Sequence, residues 1–338
     1  MHGLFPIMST TSCWCSVPLR SCAFTSKRGS AIRLAGAVLL ALAAGGCCRG
    51  EAAQDAAAPP MPSYRIETDG FNASEADIRA VLDSAGGQLW RFFPGYKLEP
   101  FVVTRGHHGP ITLYRRNDRG EIVVCLDTGQ QFWCQYAYQF AHEFCHVLCG
   151  LQHEPGYEGN KWLEETVCET ASLFAIRGMS RQWKDHPPYP NWRDYRDSLR
   201  DYADDVVRQR QGFLEICAQG MPAFYRAHRP AIEKDPCCRE LNGAMSIVFL
   251  QLLEEQPERW ESVRWLNSSR PPQGEPLEGY LRRWYGAVPE RHKPTVQRVG
   301  ELYGLRIGPA ETARPKTAGA VPSGKPADRQ PPRDRPRP

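Results

Sequence analysis

Apolar and polar residues alternate along this chain at two periods, and the change from one to the other divides it in two. Residues 64–68 alternate with the period of a strand. Asn72-Ala73-Ser74-Glu75 resembles a capping box and opens a helix that runs to about residue 93. Further strands are predicted at 100–104, 111–115 and 121–127, the last two joined through a hairpin turn at Asn117-Asp118-Arg119-Gly120. From 135 to 151 the period becomes helical, with Ala137, Phe140, Ala141, Phe144, Val147, Leu148 and Leu151 forming an apolar stripe and Gly150 supplying a stop. A second helix begins near Lys161. Helical spacing dominates afterwards, over 192–209, 212–226, 241–255, 257–266 and, with breaks, 279–305. The pattern predicts an α+β fold: a small antiparallel or mixed sheet, two long helices, then a mainly helical lobe.

The two ends fall outside this pattern. Leu34 to Ala44 is an 11-residue apolar run preceded by Arg28 and Arg33. That length suits the h-region of an export signal and is too short to span a bilayer. Gly45-Gly46-Cys47 after it resembles a bacterial lipobox, with Cys47 as the lipidated residue, although Ala44 stands where leucine is usual. Cleavage without lipidation is the alternative. The Ala/Pro-rich segment that follows has the composition of a tether. Residues 309–338 contain 8 prolines in 30 residues and cannot build a core. The expected organisation is a signal peptide (1–46), a tether (47–62), a folded domain (63–308, with the sheet and two long helices at 63–178 and the helical lobe at 179–308) and a disordered tail (309–338).

Charge follows the same division. The formal total is +4, yet 1–46 and 309–338 each carry +4, which leaves 47–308 at +4 − 4 − 4 = −4. No basic footprint with interleaved aromatics appears, so nucleic acid is not an expected partner. Of 13 cysteines, eight lie beyond Cys48: Cys125, Cys134, Cys145, Cys149, Cys168, Cys217, Cys237 and Cys238. In an exported chain this number suggests disulfides. Cys145 and Cys149, at i and i+4, read as small core residues or as disulfide partners of Cys168 rather than as zinc ligands, because a thiolate zinc site calls for Cys-x-x-Cys spacing and none occurs.

The chemistry centres on His142-Glu143-Phe144-Cys145-His146, a His-Glu-x-x-His sequence on the first long helix. Histidines at i and i+4 share a face and can reach one metal ion, while the intervening glutamate can act as a base toward water beside it. The alternative is a polar pair satisfied by hydrogen bonds alone, but the apolar stripe around it marks a core helix, where buried imidazoles and a carboxylate need partners. Glu165 and Glu169 stand one turn apart on the second helix, so one could bind the metal while the other holds a histidine's outer N–H. An acidic first turn facing solvent is the competing reading. Glu164, about 100° around the helix from Glu165, is expected to be silent.

His-Glu-x-x-His, an 18-residue gap and a Glu within Trp162-Leu163-Glu164-Glu165 resemble the gluzincin metallopeptidases, the group of thermolysin and aminopeptidase N. The resemblance is dense over about 130–170. It implies a zincin-like fold and a zinc peptide-bond hydrolase with His142, His146 and Glu165 as ligands, Glu143 as general base and Glu169 as the acid behind a ligand. Two departures stand out. No Gly-x-Met-x-Asn exopeptidase signature lies upstream, and the family's Tyr-x-x-Gly segment aligns with Glu240-Leu241-Asn242-Gly243, so Glu240 replaces the oxyanion-stabilising tyrosine. Tyr157, Tyr225, His228 and Arg239 are the candidates to replace it. The strand at 121–127 takes the position of the edge strand that binds extended peptide. The expectation is therefore a Zn²⁺-dependent endopeptidase acting on peptides or proteins of the bacterial envelope, exported as a periplasmic or outer-membrane lipoprotein with a possible lipid anchor in the membrane, or else secreted. The alternative is a catalytically inactive gluzincin fold serving as a binding or scaffold lipoprotein.

Overall fold

A computed structural model describes residues 61–113, 115–150, 160–269, 272 and 274–309. The export signal, Cys47, most of the tether, Tyr157 and nearly all of the Pro-rich tail lie outside the described residues. Contacts divide the chain after Ile307. Gly308 and Pro309 are the only described residues of the second unit.

The first unit combines a small four-stranded mixed sheet with a larger set of helices. Strands β1 (Arg65–Ile66), β2 (Phe101–Arg105), β3 (Ile111–Leu113) and β4 (Ile122–Leu126) take the order β1-β2-β4-β3. Of the antiparallel and mixed arrangements expected, the sheet takes the mixed one: β1 with β2 and β2 with β4 run parallel, and only β3 with β4 is antiparallel. The expected turn closes this pair, with Gly120 N–H donating to the Asn117 carbonyl at 2.9 Å. One consequence corrects the expected peptide-binding edge. Strand β4 is paired on both sides, and the edge strands are β1 and β3.

Helix α1 (Glu75–Trp90) starts where the capping signal places it, with Ser74 Oγ accepting from Asp77 N–H at 3.1 Å. Helix α2 (Trp133–Leu148) is buried at every position except Gln135. Phe140 and Phe144 stack on one another at 5.5 Å, and both reach Phe101 of β2, which joins α2 to the sheet. His142 and His146 stand two positions further on, about 200° around the helix, which turns them away from the sheet. The helix ends before Gly150, whose φ of +80° favours glycine. Helix α3 (Lys161–Gln182) then packs against α2 and α1.

The rest is helical, with more breaks than apolar spacing foretells. Pro190–Trp192 forms a separate 3₁₀ turn before α4 (Tyr195–Gln209). The helix expected over 212–226 is two, α5 (Gln211–Gln219) and α6 (Met221–Lys234), because Gly220 at φ +83° and Pro222 end one and begin the next. Helix α7 (Arg239–Glu255) follows, then a 3₁₀ segment Pro257–Trp265 where an α-helix was expected. Helices α8 (Leu277–Ala287) and α9 (Lys293–Leu302) close the fold around Pro289 and a 3₁₀ turn at Glu290–His292. Helix α3 also packs on α4 and α7, so it lies between the sheet-bearing half and the helical half. Among the described residues no disulfide joins the eight expected cysteines, and no helix is long and apolar enough to cross a membrane.

Candidate metal centre

The crossing of α2 and α3 brings most of the expected site together. His142 Nε2 lies 3.3 Å from Glu165 Oε2, and His146 Nε2 lies 3.8 Å from the same oxygen. With metal–nitrogen and metal–oxygen bonds near 2.0–2.2 Å, neighbouring ligand atoms of a tetrahedral site stand about 3.3–3.5 Å apart. The His142–Glu165 spacing meets this and the His146–Glu165 spacing comes near it. The two histidine nitrogens and a Glu165 oxygen do not all fall within 4.8 Å of one another, however, so a cation on these three needs a histidine side chain to turn inward. Cys168 also lies close: one ring nitrogen of each histidine and its thiol fall within 4.8 Å of one another. These are buried His/Cys groups able to hold a metal ion.

Glu143 is 2 % exposed. Its Oε2 lies 2.8 Å from the hydroxyl of Thr112, which also comes within 3.0 Å of the Glu143 carbonyl oxygen. Thr112 is the buried middle residue of β3, so one edge strand of the sheet connects directly to the candidate base. Sequence reasoning missed this link, because nothing in the spacing of a three-residue strand says which helix residue it touches.

The acid behind the histidines is not the expected one. Glu164 Oε1 is 2.7 Å from His146 Nδ1, and its Oε2 accepts from Asn267 Nδ2 at 2.8 Å. The hydrogen bonds of Glu169 go instead to Tyr138, Arg239 (3.2 Å) and Arg210 (3.5 Å). Both departures have one geometric cause. Glu165 faces the Nε2 edges, and α3 crosses α2 so that the preceding residue, not the one a turn later, meets the back of His146. The adjacent pair Glu164-Glu165 is the sequence signal that could have pointed to this.

Charge in the site is balanced by protons. Burial disfavours a charge on His146, but Glu165, Glu164 and Glu143 outweigh it and push its pKa up to about 10. Burial likewise opposes ionisation of Glu165, yet His146 and His142 hold its pKa at about 2. Glu143 goes the other way, with burial raising its pKa above the ordinary carboxylate value. A divalent cation between the Nε2 atoms would replace the imidazole protons and leave the carboxylates ionised.

The candidates for the missing tyrosine separate clearly. Tyr225 packs against Trp162 and Tyr303, and His228 pairs with Glu215 at 2.9 Å. Arg239 is tied through Glu169 to the helix that carries Glu165. Glu240 is exposed, and its Oε1 accepts from Gly212 N–H at 3.4 Å.

Comparison with protein-family models, with curated proteins and with solved structures finds no match.

Proposed function

We propose that the chain is a zinc-dependent peptide-bond hydrolase of gluzincin type, an endopeptidase of the bacterial cell envelope. The observation that carries this reading is the approach of His142 Nε2 and His146 Nε2 to one oxygen of Glu165, at 3.3 and 3.8 Å, beside a buried Glu143. His142, His146 and Glu165 would hold Zn²⁺, which when bound supplies Lewis acidity, polarising water and the scissile carbonyl.

The remaining work falls to protein groups. Glu143 accepts a proton from the attacking water at its carboxylate and delivers it to the leaving amine, and its raised pKa suits a group that must both take and give. Thr112 fixes the carboxylate orientation. Glu164 accepts the Nδ1 proton of His146, which sets the tautomer that turns the Nε2 lone pair toward the ligand cluster. Substrate backbone would add along the open edge of β3, where Leu113 is 38 % exposed. Export and anchoring through Cys47 rest on the sequence pattern.

The second reading, an inactive gluzincin fold used for binding, is favoured by Glu240, which stands in the tyrosine position and spends a carboxylate oxygen on Gly212. Digestion of a peptide library by the wild type and by Glu143→Gln separates the two. Cleavage by the wild type and its loss in the variant support hydrolysis. Equal background cleavage by both leaves the binding module.

A further inference from the structure

Beside the histidines, where α2 and α3 meet, lies a second cluster that the proposed hydrolysis does not use. Cys145 on α2, Cys149 at the cap that ends it and Cys168 on α3 are each 0 % exposed, and their three sulfur atoms lie within 4.8 Å of one another. Two ordinary explanations meet difficulty. Cys145 and Cys149 cannot bridge in place, because residues at i and i+4 of a helix hold their Cβ atoms about 5–6 Å apart, whereas a disulfide needs about 3.5–4.5 Å. A Cys168 disulfide to either would still leave the third thiol against it. As simple core filler, any small apolar residue would serve at these positions, yet three thiols from two helices converge.

Their spacing matches a different use. Three sulfurs around a metal at about 2.3 Å in a trigonal plane stand about 4.0 Å apart. Cys145 Sγ and Cys149 Sγ are 4.0 Å apart. We infer that Cys145, Cys149 and Cys168 form a separate site for a soft, thiophilic cation of the Zn²⁺, Cd²⁺ or Cu⁺ kind, distinct from the histidine–glutamate centre. Ligand softness separates the two sites by degree: three thiolates favour the softest d¹⁰ cations, Cd²⁺ and Cu⁺, more strongly than imidazole with carboxylate does. Cys168 belongs to both groups, since its thiol also falls within 4.8 Å of the histidine ring nitrogens. An ion held by the thiols would therefore draw Cys168 away from the histidines. This inference stands apart from the proposed hydrolysis and can fail without it.

The test is a Cd²⁺ titration of the reduced full chain carrying Cys13→Ser, Cys15→Ser, Cys22→Ser, Cys47→Ser, Cys48→Ser, Cys217→Ser, Cys237→Ser and Cys238→Ser. These changes remove the cysteines up to Cys48, the exposed Cys217 and the vicinal thiol pair beside Glu165. Cadmium bound to thiolate absorbs in the ultraviolet, and cadmium bound to imidazole and carboxylate does not. The expected result is a sulfur-to-cadmium band that saturates at about one ion per chain, survives His142→Ala and is lost in Cys149→Ala. The last variant leaves the His142, His146 and Cys168 group complete, and Cys145→Ala gives a second reading if Cys149→Ala does not fold. Absence of the band in the parent overturns the inference. So does its persistence in both cysteine variants, which would put the ion on Cys168 with the histidines. Alkylation without reductant that finds Cys168 disulfide-bonded to Cys145 or Cys149 in the native chain overturns it as well.

Discussion

Replacing Glu164 is the sharpest test of how the two helices cooperate, because the helical wheel alone makes this residue a bystander. Its two oxygens hold His146 Nδ1 at 2.7 Å and Asn267 Nδ2 at 2.8 Å, with Glu164 and Asn267 both 3 % exposed. In Glu164→Ala both donors lose their acceptor where water hardly reaches. A hydrogen bond to a charged group contributes about 1.5–3 kcal/mol. Removing one partner of a buried pair costs about 3–5 kcal/mol, and the metal-free protein should lose stability on that scale. Zinc affinity should fall about 10- to 100-fold, the usual effect of losing the acid behind a ligating histidine, or about 1.4–2.7 kcal/mol. Glu164→Gln keeps an acceptor oxygen and should fall between. Competition against a chromogenic chelator reads the affinity, and melting with and without zinc reads the stability. Glu165→Ala, which removes a ligand, should be worse than either. The reasoning is refuted if Glu164→Ala binds zinc like the wild type, or if Glu169→Ala weakens zinc more than Glu164→Ala does.

Two other predictions bear on the neighbours of the site. Thr112→Val keeps the shape of β3 but takes a donor from the Glu143 carboxylate, so zinc content should be unchanged while the acidic limb of the kcat/KM profile moves to higher pH, by about one unit for a bond of about 1–1.5 kcal/mol; an unmoved limb would show that Thr112 does not tune the base. Glu169 has a pKa held below the ordinary carboxylate value, because Arg210 and Arg239 outweigh its burial. A depressed folded pKa gives stability that is fully present above the unfolded value, about 4.3, and is lost as pH falls through the folded one. Urea unfolding should therefore show Glu169→Gln less stable than wild type by about 3–5 kcal/mol at pH 7, with the gap closing as the pH drops below about 4; a gap that is constant with pH would exclude this origin.

What the sequence reveals here follows from how local each signal is. The i, i+4 spacing of His142 and His146, the stop at Gly150 and the start of α3 at Lys161 depend on neighbours within a turn or two, and all appear in the structure. Strand order does not. Residues 111–113 and 122–126 each read as a strand, but only the three-dimensional pairing leaves β3 rather than β4 at the edge. The split at Gly220 was hidden because apolar residues on both sides keep helical spacing, so periodicity runs through a break that backbone conformation imposes. Glu164 and Glu169 were exchanged for a similar reason. A wheel places residues around one helix, but which carboxylate meets His146 Nδ1 depends on how α3 crosses α2, and no single helix encodes that angle.

The same crossing explains how so many polar groups persist in a core. Helix α2 is buried around nearly its whole circumference, so each imidazole and carboxylate it carries must find a partner inside the protein. The structure provides them on separate elements: Glu164 and Glu165 from α3, Thr112 from β3 and Asn267 from the segment after the Pro257–Trp265 turn. None of these contacts needs an ion to form. A cation entering between His142 and His146 would find Glu165 beside both and would have to displace their protons and turn one ring inward rather than order the fold. Metal affinity in such a centre is set by pH and by the carboxylates behind the histidines, while the stability of the helix pair rests on the packing of α2 against the sheet and α3. Separating these two dependences lets a variant such as Glu164→Gln report on the metal without first dismantling the domain that holds it.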